Sequence, residues 1–321
     1  PRGPQTNLPP MNTSATIIEV IDEWMQNLDV METTRTSYRT KVQLWFRWLA
    51  AQRVDPRCPA RRHILAWKQA LEQQGRSALT VDGYVTAVRM FYKYCAARGY
   101  YSDIGSGVRS SVRYRGHRKG RLTSEEAARL LDSVDVSTFK GKRDRLMLAM
   151  MLLLALRTCE VERVNIDDFD FTEEGVPVLY IQRKGRHEKV EALALPDTIV
   201  ELLSDFISVR GARPGEALFA SAYPKNSHRL RRTSISQIVH QRLAAIGIRR
   251  PNITAHSLRH TCACLMVESG VDLETVRDML GHTTTNTTRI YAEEVHARML
   301  IRNTPAKLVE KAIESGRRLG G

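Results

Sequence analysis

The sequence predicts a mainly α-helical protein of two domains, with a small β-sheet or hairpin in the second. Three observations carry this expectation. The chain has 321 residues, 42% of them hydrophobic, which suits two cores of ordinary size. Apolar residues recur at helical spacing through most of its length. A basic, glycine-containing stretch at 107–121 breaks that periodicity a third of the way along.

The elements follow in order. Residues 1–13 hold four of the twelve prolines and no periodic pattern, so a loose arm is expected there. A helical domain is expected over 14–106. Ile17, Ile18, Ile21, Trp24, Met25 and Leu28 form one apolar stripe, and Tyr38, Val42, Trp45, Phe46 and Leu49 a second. Ile64, Leu65, Trp67 and Leu71 suggest a third helix, and Val81, Tyr84, Val85, Val88, Phe91 and Tyr92 a fourth. At this spacing core packing is a better use for the aromatics than stacking on bases.

The second domain is expected over 122–300, followed by a tail at 301–321. It opens on Thr123-Ser124-Glu125-Glu126, a capping-box pattern. An apolar helix is expected around 145–157. Segments 176–182 and 188–195 read as strands, joined by a turn at 183–186. Helices are then expected at 197–209, 234–246, 254–269 and 273–280, the last ended by Gly281.

Charge points to a polyanionic partner. The net charge is +14. Six Lys and Arg residues and no Asp or Glu fall within 107–121, so nearly half the excess lies in fifteen residues. Arg109, Arg113, Arg115, Arg118, Lys119 and Arg121 there suit a strap on a phosphate backbone, or else a solvated linker. Lys225, His228, Arg229, Arg231, Arg232, Arg249 and Arg250 form a second basic region. Membrane association is disfavoured. The longest apolar run, 146–156, is far short of the roughly 20 residues a bilayer needs, and no signal-peptide pattern is visible. Five scattered cysteines without a CxxC pair fit a cytoplasmic protein in which all are small buried hydrophobes, with no zinc site.

The densest chemistry is C-terminal: His256-Ser257-Leu258-Arg259, then Gly281-His282, then Tyr291. His256 and Arg259 are three apart on an expected helix and so share a face. A His beside an Arg suits an anion better than a metal. Taken singly, each residue has a bland structural reading.

Taken together, these segments resemble the catalytic boxes of the tyrosine recombinase (phage integrase) family. Ala155-Leu156-Arg157-Thr158-Cys159-Glu160 resembles the family's first box, an Arg near the end of an apolar helix with an acidic residue three further on. Lys184-Gly185 resembles the family's lysine in a β-hairpin turn, with Arg183, Arg186 and Lys189 as competing neighbours. The resemblance spans roughly 14–300, and the amino end is too short for the separate arm-binding domain of many phage integrases.

The resemblance implies a two-domain DNA clamp, with a helical core-binding domain at 14–106 and an α+β catalytic domain at 122–300. It implies that Tyr291 attacks phosphorus and forms a 3′-phosphotyrosyl bond. The pentavalent state gains charge on its non-bridging oxygens, which guanidinium forks of Arg157 and Arg259 would hold bidentately. A tyrosine pKa of ~10 calls for a base, and His256 is the candidate. Lys184 would protonate the leaving 5′-oxygen, His282 would hydrogen-bond the phosphate, and Glu160 would buttress an arginine or form a simple helix salt bridge. No metal, ATP or other cofactor is needed. The partners implied are double-stranded DNA recombination sites and a homo-tetramer passing through a Holliday junction, with the 301–321 tail exchanged between subunits. A type IB topoisomerase-like enzyme and a catalytically silent DNA-binding regulator remain as alternatives.

Overall fold

The structure is a computed structural model that describes residues 16–109, 120–183, 185–186, 188–211, 213–221, 228–302 and 313. It divides into two compact units, at 1–115 and 116–321. The boundary falls inside the basic stretch.

Four helices build the first unit: α1 (Ile17–Asn27), α2 (Glu32–Ala51), α3 (Arg61–Gln73) and α4 (Ala78–Ala97). Thr16 and Glu19 close a reciprocal capping box on α1, which satisfies two otherwise orphaned N–H groups. The core is aromatic. Trp24, Trp45, Trp67, Phe91 and Tyr92 are all buried, and Trp45 Nε1 donates to Tyr92 Oη at 3.1 Å. Truncating a core tryptophan of this kind costs about 3–5 kcal/mol, so these rings serve the fold rather than base stacking. Arg61 donates to the carbonyls of Ser106 and Gly107, and Lys68 to that of Arg109. The first residues of the basic stretch are therefore seated on α3.

The second unit contains eight helices among the described residues: α5 (Ser124–Asp132), α6 (Phe139–Leu153), α7 (Thr158–Arg163), α8 (Asp197–Arg210), α9 (Arg232–Ala245), α10 (Ala255–Glu268), α11 (Leu273–Leu280) and α12 (Thr285–Arg302). An antiparallel sheet runs β1 (Phe169–Phe171), β2 (Pro177–Ile181), β3 (Glu191–Ala194) in that spatial order. Leu179 pairs with both Phe169 and Leu193. The capping box at Thr123 and Glu126 forms as expected. Helix α6 is buried on every side from Leu146 to Leu152 and forms the centre of the unit. Gly141 is required there, because a Cβ would stand 1.6 Å from the Asp135 carbonyl oxygen.

Two expectations are corrected. The apolar run at 146–156 outlasts its helix: α6 starts at Phe139 and stops at Leu153, and Arg157 instead caps the N-terminus of α7. Cysteine burial is also uneven, since Cys95, Cys262 and Cys264 are buried, Cys159 is half-buried and Cys58 is exposed. Among the described residues, no helix is long and apolar enough to cross a membrane.

Candidate active site

Glu160 organises the site. It lies on α7, is 1% exposed, and accepts from the Arg157 backbone N–H at 2.8 Å and from Arg157 Nη1 at 2.6 Å. Arg183 Nη1 stands 3.6 Å and Arg259 Nη1 3.9 Å from Oε2, the oxygen that also accepts from the Arg157 backbone. One buried carboxylate thus faces three guanidinium groups. A buried charge in this setting is tolerated only because it is paired and hydrogen-bonded.

Arg259, on α10, is 1% exposed. Its Nη1 donates to the Ala155 carbonyl at 2.7 Å and its Nη2 to the Leu280 carbonyl at 2.5 Å. Ala155 takes a left-handed conformation, φ +52°, which is costly for a residue with a Cβ. That turn ends α6 and presents the carbonyl to Arg259, linking local strain to the placement of a charged group. Burial, and then the neighbouring Arg157, lower the Arg259 guanidinium pKa to about 10, so it stays charged at neutral pH.

Gly281 ends α11 in the left-handed region, φ +57°, and a Cβ there would meet Arg183 Nε at 2.6 Å. The chain therefore turns at once into His282. Nε2 of His282 lies 3.2 Å from Arg259 Nη2, and its Nδ1 lies 3.0 Å from the buried Thr288 hydroxyl. Burial first, then the positive charges of Arg259, Arg157, Arg183 and His256, push its pKa down to about 4. The ring is neutral at pH 7, accepting at Nε2 from Arg259 and donating at Nδ1.

Tyr291 lies in the second turn of α12 and is 2% exposed. Its ring stacks on His282 at 6.2 Å and tilts against His260 at 5.1 Å. Burial raises its pKa, opposed by the charges of Arg259 and Arg157. His256, in the first turn of α10, is exposed, near enough for its charge to reach His282. It does not share the buried environment of Arg259.

The structure therefore gathers Arg157, Glu160, Arg259, His282 and Tyr291, with His256 at the rim. Lys184 lies outside the described residues. Two of its competitors are engaged: Arg183 is buried, and Lys189 bonds Asp168 and the Arg163 carbonyl. Arg186 is exposed.

The basic residues divide. Arg109, Arg231 and Arg232 are exposed. Arg113, Arg115, Arg118, Lys119 and Lys225 lie outside the described residues. Arg121 is corrected: it is buried, paired with Glu268 and 3.9 Å from Glu294, and so serves the fold rather than a phosphate. Arg229 is corrected likewise, donating to the Glu162 carbonyl at 2.7 Å and Asn165 Oδ1 at 2.6 Å.

His260, Cys264 and Glu294 are close enough together to hold a metal ion, but their bonding argues otherwise. The two nitrogens of His260 face different partners, Nε2 toward Glu294 at 2.8 Å and Nδ1 toward Cys264 Sγ at 3.9 Å. Burial pushes the Cys264 thiol up to about 12, and Arg121 stands beside Glu294. This is a hydrogen-bonded chain behind Tyr291, not a set of ligands converging on one point.

Sequence reasoning missed the roles of Arg183, Ala155 and the His260–Glu294–Arg121 chain. None carries a local signal, since each depends on which distant element packs against it.

Comparison with known proteins fits this geometry. The model of the phage integrase family matches residues 120–298, and that of the phage integrase N-terminal SAM-like domain matches 21–99. Tyrosine recombinase XerD of Staphylococcus haemolyticus (strain JCSC1435) is 26% identical over 281 residues, covering 85% of this chain and 92% of that protein. XerD of Staphylococcus aureus is 27% identical over 228 residues, covering 69% and 74%. The XerH site-specific recombinase in a post-cleavage complex with palindromic difH substrate is similar in fold, with TM-score 0.69 and 22% identity over 85% of this chain and 80% of that one. A lambda integrase tetramer bound to a Holliday junction gives TM-score 0.66 and 17% identity over 88% and 78%.

Proposed function

Because the chain belongs to the phage integrase family, we propose that it is a site-specific DNA recombinase that cleaves and rejoins DNA through a 3′-phosphotyrosyl intermediate on Tyr291. The observation that carries this reading is a continuous set of contacts: Arg157 and Arg259 face the Glu160 carboxylate, His282 lies against Arg259, and Tyr291 stacks on His282. Two guanidinium groups held by a buried carboxylate form a preorganised anion site, which favours a transition state with growing charge on phosphate oxygens. A tyrosine packed against that site has the right chemistry to be the nucleophile.

His256 is the candidate base and Lys184 the candidate acid for the leaving 5′-oxygen. To hydrogen-bond the phosphate, neutral His282 takes its other tautomer, with Nε2 donating to a phosphate oxygen and Nδ1 accepting from Thr288. Formation of the O–P bond to Tyr291 conserves the phosphodiester energy for rejoining, so the scheme runs without ATP, and no residue of the site is set aside for a metal. Tyr291 is buried with a raised pKa, so DNA binding has to bring its hydroxyl out and supply the phosphate. Exposed Arg109, Arg231 and Arg232, together with Arg113, Arg115, Arg118, Lys119 and Lys225, are candidates for DNA contact. The working form is a cytoplasmic homo-tetramer on two DNA sites, with residues 301–321 exchanged between subunits, and strand exchange passes through a Holliday junction.

The test is a supercoiled plasmid bearing two copies of the binding site. Recombination yields a deletion or inversion product. Relaxation without either product favours a topoisomerase-like role, and binding without cleavage a silent regulator.

A further inference from the structure

Helix α12 carries the candidate nucleophile yet is thinly attached. Among residues 285–301 the buried side chains are Thr288, Tyr291 and Val295, spaced along one face of the helix. Thr288 meets His282 Nδ1 at 3.0 Å, and the Tyr291 ring packs on His282 and His260. The residue that has to leave its place for chemistry is thus one of the three that hold the helix down.

One turn beyond Tyr291, on the same face, stands Glu294. Its Oε2 accepts from Nε2 of His260, a fully buried residue of α10, at 2.8 Å. A carboxylate only accepts, so that nitrogen carries the proton, and Nδ1 faces the Cys264 thiol at 3.9 Å. The other oxygen of Glu294 faces Arg298 at 3.2 Å and Arg121 at 3.9 Å. Burial alone would raise the Glu294 carboxyl, but the His260 hydrogen bond, with the charges of Arg298 and Arg121, outweighs it and holds the group below the usual carboxylate range. Glu294 is therefore an ionised acceptor, and its bond to His260 is of the stronger, charge-assisted kind. His260 grips both the ring of Tyr291 and the helix that bears it.

We propose that His260 and Glu294 form a clasp that holds Tyr291 in its buried seat and has to open before the hydroxyl reaches a phosphate. The proposal rests on the reading of Tyr291 as the nucleophile. Presenting the hydroxyl means shifting α12, and that shift carries Glu294 away from His260. A hydrogen bond to a charged group is worth roughly tenfold or more in an equilibrium, so the pair sets how often Tyr291 is released. Both are positioning residues that act through Tyr291.

The seat and the chemistry are read separately. In the DNA-free full chain, nitration of Tyr291 by tetranitromethane is followed by peptide mass spectrometry. Exposed Tyr180 is the reference, and amide exchange in α6 measures general loosening. Single-turnover adduct formation is then measured on a nicked duplex selected for binding from a random-sequence pool. Glu294→Ala and His260→Leu should each raise Tyr291 nitration about tenfold with α6 exchange unchanged, and each should speed adduct formation. The double variant should rise far less than the product of the two, which isolates the pair from the contacts Glu294 makes with Arg121 and Arg298. His260→Gln, which keeps a donor facing Glu294, should stay near the parent. Glu294→Ala, at a half-buried position, carries the test alone if His260→Leu melts below the assay temperature. Unchanged nitration, effects that simply multiply, or a rise matched in α6 overturns the proposal, as does slower adduct formation. An adduct that persists in Tyr291→Phe removes the nucleophile reading and the proposal with it, and is told apart from failure of the clasp because nitration does not depend on cleavage.

Discussion

The Glu160 carboxylate accepts two hydrogen bonds from Arg157, one from its backbone at 2.8 Å and one from its guanidinium at 2.6 Å. That pairing fixes the N-terminus of α7 and the direction of the guanidinium together. Because Arg183 and Arg259 also face Glu160, removing the carboxylate leaves three cations without their shared counter-charge. Glu160→Ala should therefore destabilise the protein by about 3 kcal/mol or more and abolish cleavage, whereas Glu160→Gln should lose less stability. Denaturant unfolding of both variants checks this. Equal, small losses would reduce Glu160 to an ordinary helix salt bridge.

His282 gives the acid side of the stability profile a defined shape. Its pKa in the fold, about 4, lies below the ordinary 6.5. Between those values the unfolded chain takes up a proton that the folded chain refuses. The contribution is fully present above pH 6.5 and is lost as pH falls toward 4. His282→Gln should flatten melting temperature against pH across that window. A mutant profile parallel to the parent's would contradict the assignment.

The basic stretch should divide by salt dependence. Replacing Arg113, Arg115 and Arg118 with Gln should weaken binding on specific and random DNA alike. The slope of log affinity against log salt should flatten by roughly 2–3. Arg121→Gln should leave that slope alone and lower the melting temperature, because Arg121 pairs with Glu268 and stands beside Glu294. The opposite pattern would return Arg121 to the DNA surface.

Helix α12 runs on from Tyr291 to Arg302, and Met299, Leu300 and Ile301 are exposed near its end. Truncation after Arg302 should leave single-site binding intact and reduce assembly of paired sites, read by sedimentation. Unchanged assembly together with unchanged cleavage would place the tail's role within its own subunit.

The elements that build the cores were legible in the sequence because their signals are local. The stripes at Ile21, Trp24 and Met25 and at Ile64, Trp67 and Leu71 became buried faces of α1 and α3. Thr123 and Glu126 formed their box, and Gly281 took the left-handed cap. The misses have a physical cause. An apolar run reports burial rather than backbone, so 146–156 could not reveal that α6 stops at Leu153 and that Ala155 turns left-handed. Strand β1 is three residues long with Phe171 67% exposed, too short for any period. Charge in sequence does not say whether an arginine faces water or a carboxylate, which is why Arg121 and Arg229 were read as surface groups. At the site the residue types were readable, but the shared carboxylate and the buried Arg183 exist only once α7, α10, α11 and the sheet meet.

The most direct test of the account is the covalent bond itself. The full chain is incubated with nicked duplex carrying its binding site, denatured, and resolved on a gel alongside Tyr291→Phe. The parent protein should trap DNA on its 3′ phosphate, with the adduct mapping to the peptide that contains Tyr291. Tyr291→Phe should bind the same duplex equally well and form no adduct. An adduct that persists in Tyr291→Phe, or maps to another residue, contradicts the assignment of the nucleophile.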